Sequence, residues 1–371
     1  MRTITRRAVC TIGLLAVVGL MGCPGPKTEA GGGGGDTPPK TGDGAKPITS
    51  SGKRFRAALV LDIGGVGDKS FNAAAWAGLQ KAQKDLGLGT DDIKYVETKS
   101  AADYTSNLRT FATQGYDVVI AVGFAMEEAL KQVAAEFPEV KFAIVDGNAP
   151  AGAANCVSLK FKEEQGSFLA GYVAAAVSKT KKIGFVGGMQ IPLIEKFEAG
   201  YKAGAKAAGF DPNTQVLAAY TGDWNDVAKG KSQANQLFGN GADVVFQAAG
   251  KAGLGVIQAA KEKGKGFYAI GVDRDQDDEA PGFVLTSMVK HLDTAVSDTV
   301  KKTKEGKFTP GEQLFDVKDG GIGLSEMKFT KQDVPEAVQA NVKKLSDMIA
   351  EGKINPPTKL SELAAFLAPK L

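Results

Sequence analysis

The chain has 371 residues, room for two compact domains of roughly 100–200 residues each. Hydrophobic residues make up 43% and charged residues 23%, which excludes bulk disorder, and the 47 glycines follow no Gly-x-y repeat, which excludes a collagen-like chain. The formal charge of +3 comes from Arg2, Arg6 and Arg7; the rest of the chain balances 42 basic against 42 acidic residues and offers no general electrostatic attraction for nucleic acid.

Residues 1–7, MRTITRR, are basic, and residues 8–22, AVCTIGLLAVVGLMG, form a mainly apolar run. That length suits a secretory signal better than a membrane span. The run ends in Leu20-Met21-Gly22-Cys23. A small residue directly before a cysteine, with leucine three before it, resembles a bacterial lipoprotein signal. The resemblance implies cleavage after residue 22 and acyl chains, palmitate among them, on Cys23; the alternatives are an ordinary signal peptide or an uncleaved anchor. Residues 23–52, with GGGGG at 31–35 and several prolines, read as a flexible tether. It would hold a folded body at the cell envelope, outside the cytoplasm, on the periplasmic side or the cell surface. Multiple acyl chains anchor durably where one does not, so no transmembrane helix is needed. Beyond Cys10 and Cys23 only Cys156 remains; it has no intramolecular disulfide partner in a mature body and reads as buried and inert.

From residue 53 short apolar runs alternate with helical spacing. Strands are expected at 55–62, 92–97, 116–123 and 140–146, with helices at 71–86, 103–114 and 125–136 between them. The pattern restarts with a helix at 163–178, a strand at 181–188 and a helix at 192–208. It continues with strands at 214–220, 242–250 and 266–273, separated by helices at 225–238 and 251–263. Such alternation predicts parallel sheets covered by helices on both faces. Farther on, 283–290 reads as a strand running into a helix to about 305, 317–325 as a turn-rich strand, and 333–350 and 360–368 as helices. The expected division is an N-terminal lobe at 53–160, a C-terminal lobe at 161–284, and a return segment at 285–371 shared between them.

The halves also repeat in detail. Gly115-Tyr116-Asp117-Val118-Val119 opens a unit closing at Ile144-Val145-Asp146, and Gly241-Ala242-Asp243-Val244-Val245 opens one closing at Gly271-Val272-Asp273. Gly78 on the first helix is echoed by Gly200 and Gly204. We read two similar α/β lobes. Ligands of open parallel sheets sit beyond the carboxyl ends of the strands. Asp62, Phe124, Asp146, Met189, Gly250 and Asp273 occupy such positions and would line one cleft between facing lobes.

The run Asp62-Ile-Gly-Gly-Val-Gly-Asp68-Lys69-Ser70-Phe71-Asn72 resembles the opening signature of the basic membrane protein family of substrate-binding lipoproteins. Val122-Gly123-Phe124, Phe168-Leu-Ala-Gly171, Ile183-Gly-Phe-Val-Gly-Gly188, Ile270-Gly-Val-Asp273 and Leu285-Thr-Ser-Met-Val-Lys290 match it in order over roughly 54–330. The family is similar to the purine nucleoside receptor of bacterial ABC importers. The resemblance implies the type I periplasmic-binding-protein fold, two parallel-sheet lobes joined by a three-segment hinge. It further implies a monomer that binds a nucleoside and delivers it to a permease, with no cofactor, no metal and no catalysis. By the same resemblance Phe71 stacks on the base and Trp224 covers its other face. Asp62 and Asn72 make polar contacts to the base or shape the segment. Asp146 lines the pocket, Asp273 binds the ribose hydroxyls and Lys290 approaches the sugar. Lys69 is either a pocket residue or half of a structural ion pair. Gly67 stands where the family often carries Asn or Asp.

These roles have a physical basis. Aromatic rings stack on any base for about 1–3 kcal/mol each, and an ionised carboxylate accepts both hydroxyls of a diol. Other readings compete: a nucleoside-processing enzyme, a binder of a free sugar or other small polar solute, and an adhesin. His291 is the only histidine, so a polyhistidine metal site is excluded. Asp273-x-Asp275-x-Asp277 lacks the glycine at position six and the glutamate at position twelve of a calcium loop, where Asp278 and Val284 stand. Gly250-Lys-Ala-Gly253-Leu-Gly255 matches no nucleotide-binding fingerprint.

Overall fold

The computed structural model describes residues 54–369; the expected signal segment, Cys23 and the tether lie outside the described residues. The first half gives β1 (Ala57–Leu61), α1 (Phe71–Leu86), β2 (Ile93–Glu97), α2 (Tyr104–Thr113), β3 (Val118–Val122), α3 (Glu127–Glu136), β4 (Lys141–Val145) and β5 (Cys156–Phe161). The second gives α4 (Glu163–Val177), β6 (Ile183–Gly187), α5 (Pro192–Ala207), β7 (Val216–Tyr220), α6 (Val227–Gly239), β8 (Val244–Ala248), α7 (Gly253–Lys263), β9 (Tyr268–Asp273) and β10 (Val284–Lys290). Then follow α8 (Leu292–Lys304), β11 (Gly311–Phe315), β12 (Ile322–Leu324) and α9 (Glu336–Ala350).

The strands make two sheets, ordered β11-β5-β4-β3-β1-β2 and β12-β10-β9-β8-β6-β7. All pairs are parallel except β10 with β12. The central strands β1, β3 and β8 are buried at every residue, as a parallel sheet covered on both faces requires. In the first lobe α1 and α8 cover one face, and α2 and α3 the other. In the second, α4 and α5 cover one face, and α6 and α7 the other.

The strand orders are the same once β1 is matched with β6, β2 with β7, β3 with β8, β4 with β9 and β5 with β10. The repeat in the sequence is therefore a repeat of topology. Its glycines serve packing: an added Cβ on Gly78 would lie 2.6 Å from the Asp293 carbonyl oxygen of α8. On α5 the approach is closer still, since a Cβ on Gly204 would lie 1.9 Å from the Phe168 carbonyl oxygen of α4.

The chain passes between lobes at Lys162, at His291 and over residues 316–321. These passages are bonded side by side. The Lys162 N–H donates to the Phe315 carbonyl at 3.0 Å and the His291 N–H to that of Gly321 at 2.9 Å. The Lys162 ammonium reaches Asp316 at 2.8 Å.

The structure differs from the expectations in three places. β5 and β11 were not anticipated as strands. In 317–325 only Ile322–Leu324 is strand, and 360–368 holds only a short 3-10 turn at Leu360–Glu362.

Two predictions follow from the packing of α4. Gly204→Ala has backbone, not a movable side chain, in its way, and overpacking of this kind costs about 1–3 kcal/mol; chemical denaturation should show at least that loss, and an unchanged midpoint would contradict the packing. Glu164 is buried with Oε2 unpartnered, and burial pushes its carboxyl up to about 7 from 4.5. A raised folded value means that its contribution to stability is fully present below the unfolded pKa and is lost as pH rises through the folded one. Glu164→Gln should therefore melt higher than the parent at about pH 8, by on the order of 2–3 kcal/mol, with no gain at about pH 4; a parent–variant difference independent of pH would contradict this.

Candidate functional site

A cleft between the lobes opens at the carboxyl ends of the strands, where an αβ sheet of this order leaves its crevice. It holds about 650 Å³ of space, including the part open to solvent, and is lined from both lobes. The first lobe supplies Asp62 after β1, Phe71 and Asn72 on α1, Phe124 after β3 and Asp146 after β4. The second supplies Trp224 before α6, Gly250 after β8, Asp273 at the end of β9 and Lys290 at the end of β10.

Asp146 and Asp273 hold equivalent positions in the two lobes and share an unusual backbone. Their φ angles are 58° and 67°, in the left-handed region that costs a non-glycine residue about 1–2 kcal/mol and that aspartate tolerates better than most. The Asp146 N–H donates to the Leu159 carbonyl at 2.9 Å, so β5 helps hold this turn. Asp273 accepts the Ser70 hydroxyl across the cleft at 2.6 Å.

Between the two carboxylates lies Lys290, 1% exposed. Its Nζ is 2.5 Å from Asp146 and 3.3 Å from Glu163, and it stands 4.8 Å from the Phe161 ring centroid and 5.5 Å from that of Phe71. Burial opposes the ammonium's charge, yet Asp146, Glu163 and Asp273 together hold its pKa above the ordinary lysine value. Burial likewise pushes Asp146 and Asp273 upward, against the pull of Lys290 and with a further push from Glu163. Asp146 Oδ1 is buried without a hydrogen-bond partner, an acceptor left unsatisfied within the protein.

The start of α1 is braced by its own side chains. Asp68 accepts the N–H groups of Ser70, Asn72 and Ala73 at 3.0, 2.8 and 3.1 Å, capping the helix. The Asn72 amide donates to Asp68 at 3.0 Å and its oxygen accepts the Asp62 N–H at 3.0 Å. Both ends of Asn72 thus serve local shape. Asp62 Oδ1 accepts the Ile63 N–H at 2.7 Å and the Tyr104 hydroxyl; burial, partly offset by these two bonds, raises its pKa. Its Oδ2 lies toward Gly123, where an added Cβ would meet it at 2.9 Å.

Gly188 admits the indole of Trp224, since a Cβ there would lie 2.2 Å from its Cζ3; Gly250, at φ 57°, lies beside the ring, where an added Cβ would meet Cε3 at an ordinary contact distance of 3.7 Å. Two expected residues lie away from the cavity lining. Met189 is 36% exposed outside it, and Lys69 pairs with Glu279 of the other lobe at 2.6 Å. The sequence reading missed Asp68, Leu193, Ile194, Phe197 and Lys251 in the lining, and Tyr104 and Glu163 behind it. Leu193 and Phe197 stand four apart at the start of α5, a spacing that could have marked a helix face; Tyr104 and Glu163 gave no local signal. Among the described residues no cluster of His, Cys, Asp or Glu could hold a metal ion, and no helix is long and apolar enough to cross a membrane.

Residues 55–355 match the family described as ABC transporter substrate-binding protein, PnrA-like. The chain is 38% identical over 326 residues to a CD4+ T-cell-stimulating antigen of Listeria innocua, covering 83% of this chain and 90% of that protein. It is 38% identical over 323 residues to the ABC transporter nucleoside-binding protein BmpA of Lactococcus lactis, covering 82% and 90%. An ABC transporter solute-binding protein from Aeropyrum pernix superposes with a TM-score of 0.74 at 29% identity, over 84% of this chain and 96% of the other. The chain belongs to the PnrA-like family of ABC transporter substrate-binding proteins, whose members bind solutes and are not enzymes.

Proposed function

We propose that the cleft binds a nucleoside, a purine nucleoside by preference, and hands it to the permease of an ABC importer. The observation that carries this reading is the lining itself: two rings, Phe71 and Trp224, share one cavity with Asp146, Asp273 and Lys290. The rings suit the faces of a base. The carboxylates suit the ribose hydroxyls, and the unpartnered Asp146 Oδ1 is one acceptor for them. Asp62, held by Tyr104 and the Ile63 N–H and part of the lining, would accept an N–H of the base edge. The name of the Lactococcus relative supports the same ligand class.

Charge narrows the choice. Asp146, Glu163 and Asp273 gather around Lys290 and Asp62 and Asp68 add further carboxylates to the lining, so an uncharged solute is favoured over a phosphorylated one. The interlobe bonds Ser70–Asp273 and Lys290–Asp146 fit a closed form in which the solute is sequestered, and closure is what a permease can read. In this reading Cys23 carries the lipid anchor, the folded body works outside the cytoplasm as a monomer, and the tether links the two.

The test is calorimetry of guanosine binding to the parent and to Asp273→Ala. Loss of a charged hydrogen-bond acceptor costs about 1.5–3 kcal/mol, so affinity should fall roughly ten- to a hundredfold while circular dichroism stays unchanged. The parent should bind the free base and 2′,3′-dideoxyguanosine more weakly than guanosine. Equal affinity of a folded Asp273→Ala for guanosine would contradict the ribose role, and a parent that ignores all nucleosides would contradict the ligand class.

A further inference from the structure

Lys69 lies in the signature segment yet off the cavity, and its contacts point to a different task. Its ammonium pairs with Glu279 at 2.6 Å, and its carbonyl accepts the Gln276 side-chain amide at 3.0 Å. Both partners belong to the second lobe, in the segment just after β9. Gln276 is 1% exposed and its amide is oriented by its neighbours. Its Oε1 accepts the Gln247 amide at 2.8 Å and the Val272 N–H at 3.0 Å. Its own N–H donates to the Ser287 hydroxyl at 3.0 Å. With the oxygen so engaged, the Nε2 is left to face the first lobe. Space for this bracket comes from two glycines: a Cβ on Gly253 would lie 1.9 Å from Gln247 Oε1, and one on Gly271 would lie 2.8 Å from Gln276 Oε1. Lys69 is held at φ 51°, directly before Ser70 and the start of α1.

We propose that Lys69, Gln276 and Glu279 form a clasp that sets the balance between open and closed lobes and so tunes affinity for every solute without touching any. Lys69, Gln276 and Glu279 do not line the cavity, and separating the lobes breaks both of their bonds. Apparent affinity scales with the fraction of protein in the binding-competent state, so a weakened clasp lowers affinity by one common factor. The two bonds contribute unequally. The Lys69–Glu279 pair is half-exposed on the lysine side and is worth little in water; the buried amide carries more. This inference holds whichever solute enters the cleft.

The experiment compares the full-length parent with Gln276→Glu, which keeps the acceptor for Val272 and Gln247 but turns the interlobe donor into an acceptor. Small-angle scattering of the solute-free protein should show a larger radius of gyration in the variant. Affinities for guanosine and cytidine should fall by the same factor, about tenfold. A second pair of variants covers a loss of folding in the first: Lys69→Glu should weaken both nucleosides about two- to fivefold, and adding Glu279→Lys should restore them. Unchanged scattering with unchanged affinities, unequal losses for the two nucleosides, or no rescue by the charge swap would each overturn the clasp. If the parent binds neither nucleoside, the scattering comparison still decides the clasp, separately from the ligand reading.

Discussion

One buried ammonium organises this molecule. Lys290 sits at the end of a strand of the second lobe, bonded to Asp146 of the first and beside Glu163 at the start of α4. An uncompensated charge at 1% exposure would be prohibitively costly, so the carboxylates must come to it. Bringing them there places Asp146 across the cleft from Asp273 and draws the lobes together. The same group thus explains the electrostatics of the cavity and the geometry of closure.

The two lobes contribute in parallel because they are built in parallel. Equivalent strands end in Asp146 and Asp273, both in the left-handed region, and each lobe presents an aromatic ring, Phe71 or Trp224, to the shared space. The supports differ. Phe71 stands on a helix start capped by Asp68 and tied through Asn72 to Asp62, whereas Trp224 lies on a loop against Gly188. The clasp at Lys69 and Gln276 is the asymmetric addition, joining the signature segment of one lobe to the turn after β9 in the other.

Most of the fold was legible in the sequence because parallel strands buried on both faces leave nearly continuous apolar runs, and such runs alternate here with helical spacing. β5 and β11 escaped for a physical reason. Cys156–Phe161 interrupts its apolar residues with Ser158 and Lys160, and Gly311–Phe315 is largely exposed; β5 is a strand because it pairs with β4 and β11, and β11 because it pairs with β5, which tertiary context decides rather than local pattern. At the site, Asp146 and Asp273 could be found because both close a repeated strand unit. Phe71, Trp224 and Lys290 came from family resemblance. Tyr104 and Glu163 could not be found, since each acts on a residue far away in the chain: Tyr104 on Asp62 and Glu163 on Lys290. Lys69 is adjacent in sequence to a cavity segment but pairs with Glu279, 210 residues on, and so leaves the lining.

The most direct measurement is a crystal structure of the protein with the solute that co-purifies with it, identified by mass spectrometry. The account predicts a neutral solute enclosed between the lobes, its hydroxyls on Asp146 Oδ1 and Asp273 and its ring against Phe71 and Trp224. A solute bound elsewhere, or an anion seated on Lys290 in place of Asp146, would contradict it.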